Sequence, residues 1–542
     1  MSPVSAVVES LIRGGELKRD ATANRVVTEH RPVNPWIIAI AVMFATFMEV
    51  LDTTVVNVSL PHIAGSLSVT IDEATWVLTS YLVANAIILP MTGWLAGLFG
   101  RKNLLMMSVV GFTVSSFLCG LAPNLWTLIL FRILQGATGG ALQPLSQAVL
   151  LEAFPPHERG KAMGFWGQGI VVAPILGPVL GGWLTDSYSW RWVFYINIPF
   201  GIASIVMTKM FIFDPSYIRR ESRRIDYWGL GMLTVGIGAL QYVLDKGQED
   251  DWFASRTITL LTIIAAVTLV ALVVHQLTTD EPVVDLRVFK VRSYAVGVFL
   301  MTVVGFVLYG SLVLLPVMLQ TLLGYPSLQA GIAMAPRGVG AFFMMQITGR
   351  LTAWIDPRKL LTAGLVIGGV TLLWLSQLNL QAGYWDIFWP QLIQGIGMSL
   401  LFVPLTMVAM DAIPRERMGN ATSLFNLMRN IGGSIGIAIT GTMLARNQQS
   451  TTALLGSNVT IYDPATQERF AQLKAAFMAA GADAVTATNR AYAALFGMVQ
   501  RQAAMVSFVG IFQLLAIMFI ALVPLVLLMR RPRGAPGSVA AH

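Results

Sequence analysis

The sequence predicts an all-α polytopic membrane protein with 14 spans, arranged as two parallel six-helix halves and two further helices inserted between them. Three observations carry this. The chain of 542 residues is 55% hydrophobic and only 12% charged, whereas soluble domains are about 45–50% apolar and about 25% charged. Its apolar residues fall into long uncharged runs separated by short basic tracts. Blocks of the first half recur in the second at a nearly constant offset of 256–259 positions.

A hydrocarbon core about 30 Å thick needs roughly 20 helical residues to cross it. Runs that meet this requirement centre on 36–58, 75–98, 103–122, 125–151, 161–183, 191–213, 227–245, 257–277, 294–323, 328–354, 359–379, 385–411, 418–445 and 503–529. The seventh is the weakest, being short and carrying four glycines. The 35 residues before the first span lack the layout of a cleavable signal, so that span is expected to stay in the mature chain. Residues 446–502 depart from the short-loop pattern. They are polar and Ala-rich, and few turn residues fall between Asp463 and Arg501, so a largely helical excursion outside the membrane is expected.

The repeat sets the domain division. GWLAGLFGRKNLL from Gly93 resembles GRLTAWIDPRKLL from Gly349, and the stretch Leu134–Gly160 resembles Ile393–Gly419, with Glu152 falling on Asp411. Eight spans separate the matched loops. The halves therefore share one orientation, a plan used by transporters, and the excess offset corresponds to the two inserted spans. The expected units are an N-terminal segment (1–35), a first half (36–213), the insert with its flanking loops (214–293), a second half (294–529) including 446–502, and a tail (530–542).

Lys and Arg distribution orients the bundle. With the N-terminus inside, the cytoplasmic segments hold 24 Lys and Arg and the short outer loops three. Both termini are then cytoplasmic. This accounts for the net charge of +8 without invoking nucleic acid. The single cysteine, Cys119, can form no internal bridge. No phosphate-binding Gly-Lys-Ser/Thr loop, metal spacing or nucleophile–base set is present. A cofactor or an enzymatic activity is not expected, and energy would come from a gradient.

Charges inside spans cost at least about 2.5–3.5 kcal/mol each on insertion scales and so mark function or a specific partner. Glu49 and Asp52 lie three apart on one face of the first span. Two close acids in a low dielectric cannot both ionise cheaply, which suits reversible protonation or cation binding, although Asp52 could instead serve a helix end. Arg132 starts a polar and small stripe continuing through Gly136, Gly139, Gln143 and Gln147. The repeat places Gln391 opposite Arg132, so only the first half carries this charge. Asn57, Gln135, Gln143, Arg337, Gln391 and Arg429 are the candidates to line a cavity or mark a helix break. Arg337, between Pro336 and Gly338, is expected to serve backbone carbonyls freed by a broken helix. In the fifth span Gly169, Ala173, Gly177 and Gly181 form a small-residue seam, with Pro174 and Pro178 as bending points. The matched charges Glu152 and Arg159, and Asp411 and Arg417, are expected to tie the halves together beside the basic loops.

These motifs resemble the major facilitator superfamily and, within it, the 14-helix drug:proton antiporters of the EmrB/QacA type. LDTTVVNVSLP (Leu51–Pro61) resembles the family's first-helix motif, RILQGATGG (Arg132–Gly140) that of the fourth helix, Gly167–Gly182 the antiporter motif, and the run to Gly201 with Trp192, Asn197 and Pro199 the sixth-helix signature. The resemblance implies the major facilitator fold and export of hydrophobic or cationic compounds in exchange for protons, with Glu49, Asp52 and Arg132 in proton coupling. It further implies a bacterial inner-membrane location, and a periplasmic membrane-fusion adaptor and outer-membrane channel reached through 446–502. Gly93, Gly100 and Arg101 match the family's cytoplasmic gate. Gly97 stands where an Asp is usual, so the latch is expected to be weaker or different. Export of a dedicated metabolite, lipid or siderophore, and a non-transporting receptor or scaffold, remain as alternatives.

Overall fold

The computed structural model describes residues 34–213, 226–460 and 462–530. Its long helices, in chain order, are α1 (Pro35–Leu67), α2 (Trp76–Phe99), α3 (Arg101–Leu121), α4 (Leu125–Ala153), α5 (Arg159–Ser187), α6 (Trp192–Phe211), α7 (Tyr227–Lys246) and α8 (Arg256–Thr278). They continue with α9 (Arg292–Thr321), α10 (Ser327–Leu351), α11 (Pro357–Leu375), α12 (Tyr384–Met410), α13 (Met418–Asn458), α14 (Pro464–Ala479) and α15 (Ala484–Val526). Among the described residues, 12 of these helices are long and apolar enough to cross a membrane. Two of the expected spans, α10 and α13, fall outside that set: α10 carries Arg337 and polar or small residues, and α13 runs on into a polar segment. Both pack inside the bundle, against α12 and α9 respectively.

Each start and stop has a local cause. Asn34 caps α1 by accepting from the Trp36 amide at 3.0 Å, with Pro35 in the first turn, where a missing N–H costs nothing. A single residue, Gly100, joins α2 to α3. Its φ of +82° lies in a region that a side chain disfavours. Helix α4 breaks at Gly140–Ala141, where Gly140 packs directly on the backbone of Asn85.

The repeat read in the sequence is realised in the packing. In the first half α1 lies on α5, α2 on α4, α3 on α4, and α3 on α6; in the second α9 lies on α13, α10 on α12, α11 on α12, and α11 on α15. The small-residue seam of α5 faces α1, with Gly169 against Met43, Gly177 against Thr54 and Gly181 against Val55. Pro174 and Pro178 are accommodated within a continuous helix.

The halves meet through α2–α13 and α5–α10. Contact is tight toward the end of the bundle that carries the Lys/Arg-rich loops, here the basic face. Gly93 sits on the Asn420 backbone, Gly160 on Gly349, and Gly164 on Met345. The Gln346 amide donates to Gln168 at 3.1 Å, and Gln168 donates to the Phe342 carbonyl at 3.0 Å. The inserted helix α7 packs on α8 and also covers the seam between α2 and α13. Lys246 donates to Thr75 at 2.8 Å and Gln241 to Ser434 at 3.0 Å, while Trp252, just beyond α7, donates to Thr442 at 2.8 Å. Toward the opposite face, α13 continues unbroken to Asn458 and α15 begins at Ala484, so 446–502 is mainly an extension of two long helices, with α14 packed on α15.

Candidate functional site

The charges flagged inside spans resolve into two adjoining buried clusters midway along the bundle. In the first, Asp52 of α1 and Arg132 of α4 form an ion pair at 2.6 Å, both fully buried. The other Asp52 oxygen accepts from Gln135 at 2.9 Å and from Asn197 of α6 at 2.7 Å. Arg132 also donates to the Val77 carbonyl at 2.9 Å and to Gln135 at 2.8 Å, and its guanidinium stacks 4.1 Å from the Tyr81 ring centre. Asn197 donates onward to Ser116. A buried pair with this many charge-assisted partners meets the desolvation requirement that an isolated charge would fail. Asp52 is therefore anchored at the centre of the first half, not at a helix end.

The second cluster lies where the halves meet. Glu49, one turn before Asp52, accepts from Asn85 of α2 at 3.1 Å. Its Oε2 is buried without a partner at hydrogen-bonding geometry. Gln143 of α4 stands alongside, and the charges acting on Glu49 are Arg429 and Asp52. Arg429 of α13 donates to Gln143 Oε1 at 2.5 Å, and Asn426 donates to Gln147 at 2.7 Å. Thr422 reaches the Pro144 carbonyl at 3.1 Å. A ladder of polar contacts thus descends from Glu49 along the α4–α13 seam toward the basic face. The Arg132 stripe divides at the α4 break: Gly136 and Gly139 pack on α2 and α3, and Gln143 and Gln147 reach into the other half.

Several expectations need correction. Arg337 does not serve a broken helix. Pro336 lies inside the continuous α10, and Arg337 is buried with its guanidinium 3.2 Å from the Met398 sulfur. Asn57 is exposed and belongs to neither cluster. Gln391 is buried and donates to Gln394 at 3.3 Å, echoing the Arg132–Gln135 spacing without a carboxylate. At the basic face Glu152 pairs with Arg101 rather than Arg159, and Arg101 also donates to the Arg415 carbonyl of the second half at 3.3 Å. Arg417 faces Asp285 at 3.7 Å rather than Asp411. Arg159 instead has the Asp411 charge nearby. Glu152 and Asp411, at the ends of α4 and α12, thus neighbour arginines at this face.

Asn85, Tyr81 and Asn426 were missed from sequence. Their signal was a buried polar side chain in an apolar run, but such side chains are common and their partners lie far along the chain.

The family model of the Major Facilitator Superfamily matches residues 42–437, which take in both carboxylates, both arginines and the seam. The chain belongs to the Major Facilitator Superfamily. This facilitator is 39% identical over 504 residues to the Escherichia coli K12 multidrug export protein EmrB, covering 93% of this chain and 96% of that protein. It is 38% identical to the fatty acid resistance protein FarB of Neisseria gonorrhoeae, over 92% of this chain and 97% of that one. Among solved structures, the human organic anion transporter MFSD10 has the same fold, with a TM-score of 0.58 at 12% identity over 90% of this chain and 99% of that one.

Proposed function

We propose that this facilitator is a multidrug exporter that moves hydrophobic, cationic or amphipathic compounds out of the cytoplasm in exchange for protons, by alternating access. The supporting observation is the pair of buried carboxylates on α1. Asp52 is locked to Arg132, while Glu49 sits at the junction of the halves with one oxygen unsatisfied. A carboxylate so placed can take up a proton, and its charge is felt by the surface along which the halves must part. Relatives named for multidrug export support the substrate class. The name of FarB favours including fatty-acid-like amphiphiles. The basic face is assigned to the cytoplasm, with both termini there and the protein in a bacterial inner membrane, because Lys and Arg gather at that face.

The hairpin of 446–502 is assigned to docking a periplasmic membrane-fusion adaptor that leads to an outer-membrane channel. It presents Leu454, Tyr462, Met478, Val485, Tyr492 and Phe496 to solvent. Leu473, Phe477 and Leu495 are half-buried within it. Everted vesicles loaded with the protein and given an imposed pH gradient test the central reading. Ethidium uptake should follow the gradient and collapse with an uncoupler; uptake indifferent to the gradient, or unchanged by Asp52→Asn, would overturn it.

A further inference from the structure

Arg429 is a cation of the second half whose side chain reaches into the first. Its guanidinium donates to Gln143 Oε1 at 2.5 Å, and Gln143 in turn borders the Glu49 carboxylate. An amide whose oxygen is held by a guanidinium offers its N–H groups on the other side, and those favour a charged acceptor. We propose that Arg429 is a positioning residue that reads the charge on Glu49 through the Gln143 amide and holds the basic face shut while that charge is present.

The inference rests on the reading of Glu49 as a proton site and deepens it. The arrangement is Glu49 on α1, Gln143 on α4 and Arg429 on α13, so two elements of the first half are joined to one of the second. With Glu49 ionised, the amide is polarised from both ends and the cross-half link, already assisted by the guanidinium charge, is strengthened. With Glu49 neutral, the carboxyl no longer demands the amide N–H, and the link reduces to an ordinary bond between a guanidinium and an amide. The rungs below it, Gln147–Asn426 and the Pro144 carbonyl–Thr422, carry no charge of their own. Of these three rungs between α4 and α13, the one that depends on the Glu49 charge is then weakened at the moment of protonation. Proton entry from the face opposite the basic loops would thereby release the basic face, the direction that exchange requires. The other groups around Glu49 do not substitute for Arg429. Asn85 of α2 is neutral, and Asp52 is occupied by Arg132. Tyr81 of α2 stacks on Arg132. The lengths of α5 and α6 that pass α1 carry no charge between Lys161 and Asp186 or between Trp192 and Thr208.

The test uses the full chain with Cys119→Ala, spin-labelled at His157→Cys and Glu416→Cys, exposed positions beside the basic face on opposite halves. Pulsed electron–electron distance measurement in nanodiscs across pH 5–9 reads closure of that face. The parent should shift from short to long distances as pH falls. Arg429→Gln and Gln143→Leu should each shrink that response about threefold or more, and Arg429→Lys should restore part of it. If Arg429→Gln cannot be recovered as folded protein, Gln143→Leu decides. A full response in a folded Arg429→Gln or Gln143→Leu variant overturns the inference. A parent that responds normally while showing no gradient-driven ethidium transport overturns the coupling reading instead, so the two failures are distinguishable.

Discussion

Asp52 and Arg132 each exist as a charge in the bundle centre only because the other is there. Both are fully buried, so removing one partner leaves an uncompensated charge, which costs about 3–5 kcal/mol in comparable buried pairs. Asp52→Asn should therefore lower the thermal unfolding midpoint in detergent as well as abolish gradient-driven transport. The double variant Asp52→Asn/Arg132→Gln should recover much of the stability and none of the transport; strictly additive losses in unfolding would count against the pair. A second residue-scale expectation concerns Asp226, the N-cap of α7. Burial opposes its ionisation, but the Gly229 amide, His275 and Gln276 more than offset this, so its carboxyl titrates below the usual range. The sign follows: the stabilisation is present above the unfolded-state value of about 3.8 and fades as pH drops through the depressed folded value. Asp226→Asn should lower the unfolding midpoint at pH 7, and the difference from the parent should close progressively below pH 4. At this scale the sequence was half legible. Glu49, Asp52, Arg132 and Arg429 stood out because a charge in an apolar run is rare. Gln143 stood out in the stripe that starts at Arg132, but the amides of Asn85 and Asn426 did not, because their partners are set by packing across 36 and 279 positions.

At the scale of elements, the α5–α1 seam has a sharply graded tolerance. A Cβ on Gly177 would run into Thr54, whereas one on Gly182 meets nothing within 4 Å. Gly177→Val should cost about 1–3 kcal/mol of stability through overpacking, and Gly182→Ala should be neutral or gain up to about 1 kcal/mol from helix propensity. Thermal aggregation midpoints of the two variants, measured side by side, check both. The seam was readable from four-residue spacing alone, and 12 of the 14 expected spans from their uncharged apolar runs. The break in α4 and the unbroken course of α10 through Pro336 were not. At Gly140 the Asn85 backbone lies where a Cβ would stand, and Pro336 does not break α10, which packs against α12. The hairpin is the other element with a prediction of its own. Deleting residues 455–495 should abolish co-purification of an adaptor while leaving ethidium flux in proteoliposomes. Altered flux with no partner lost would mark it as a cap over the exit.

For the whole molecule, the structure is sealed at the basic face, and the seal includes the Arg101–Glu152 pair with its reach to the Arg415 carbonyl. Glu152→Gln should loosen that seal without touching either carboxylate of α1. With Cys119→Ala and a cysteine at Met345, which packs on Gly164 and Gly167 in the closed seam, maleimide labelling from the basic side should speed up several-fold. The pH midpoint of transport should stay where it is; a moved midpoint would place Glu152 in the proton path. The division into halves was legible because the two copies still share sequence. Which carboxylate serves which arginine was not, since Arg101, Arg159 and Arg417 all lie within reach of one crowded face and the neighbours there come from both halves.

Helix α13 has a consequence of a mechanical kind. It runs 41 residues without interruption, about 61 Å at 1.5 Å per residue, roughly twice the thickness of a hydrocarbon core. Its first turns lie in the seam between the halves, and its last turns stand in the hairpin of 446–502. Such a rod is a lever whose short arm is the gate. Tilting it by about ten degrees about its base would carry the tip through about 10 Å. A protein gripping that tip would be moved once per transport cycle and would keep time with the proton.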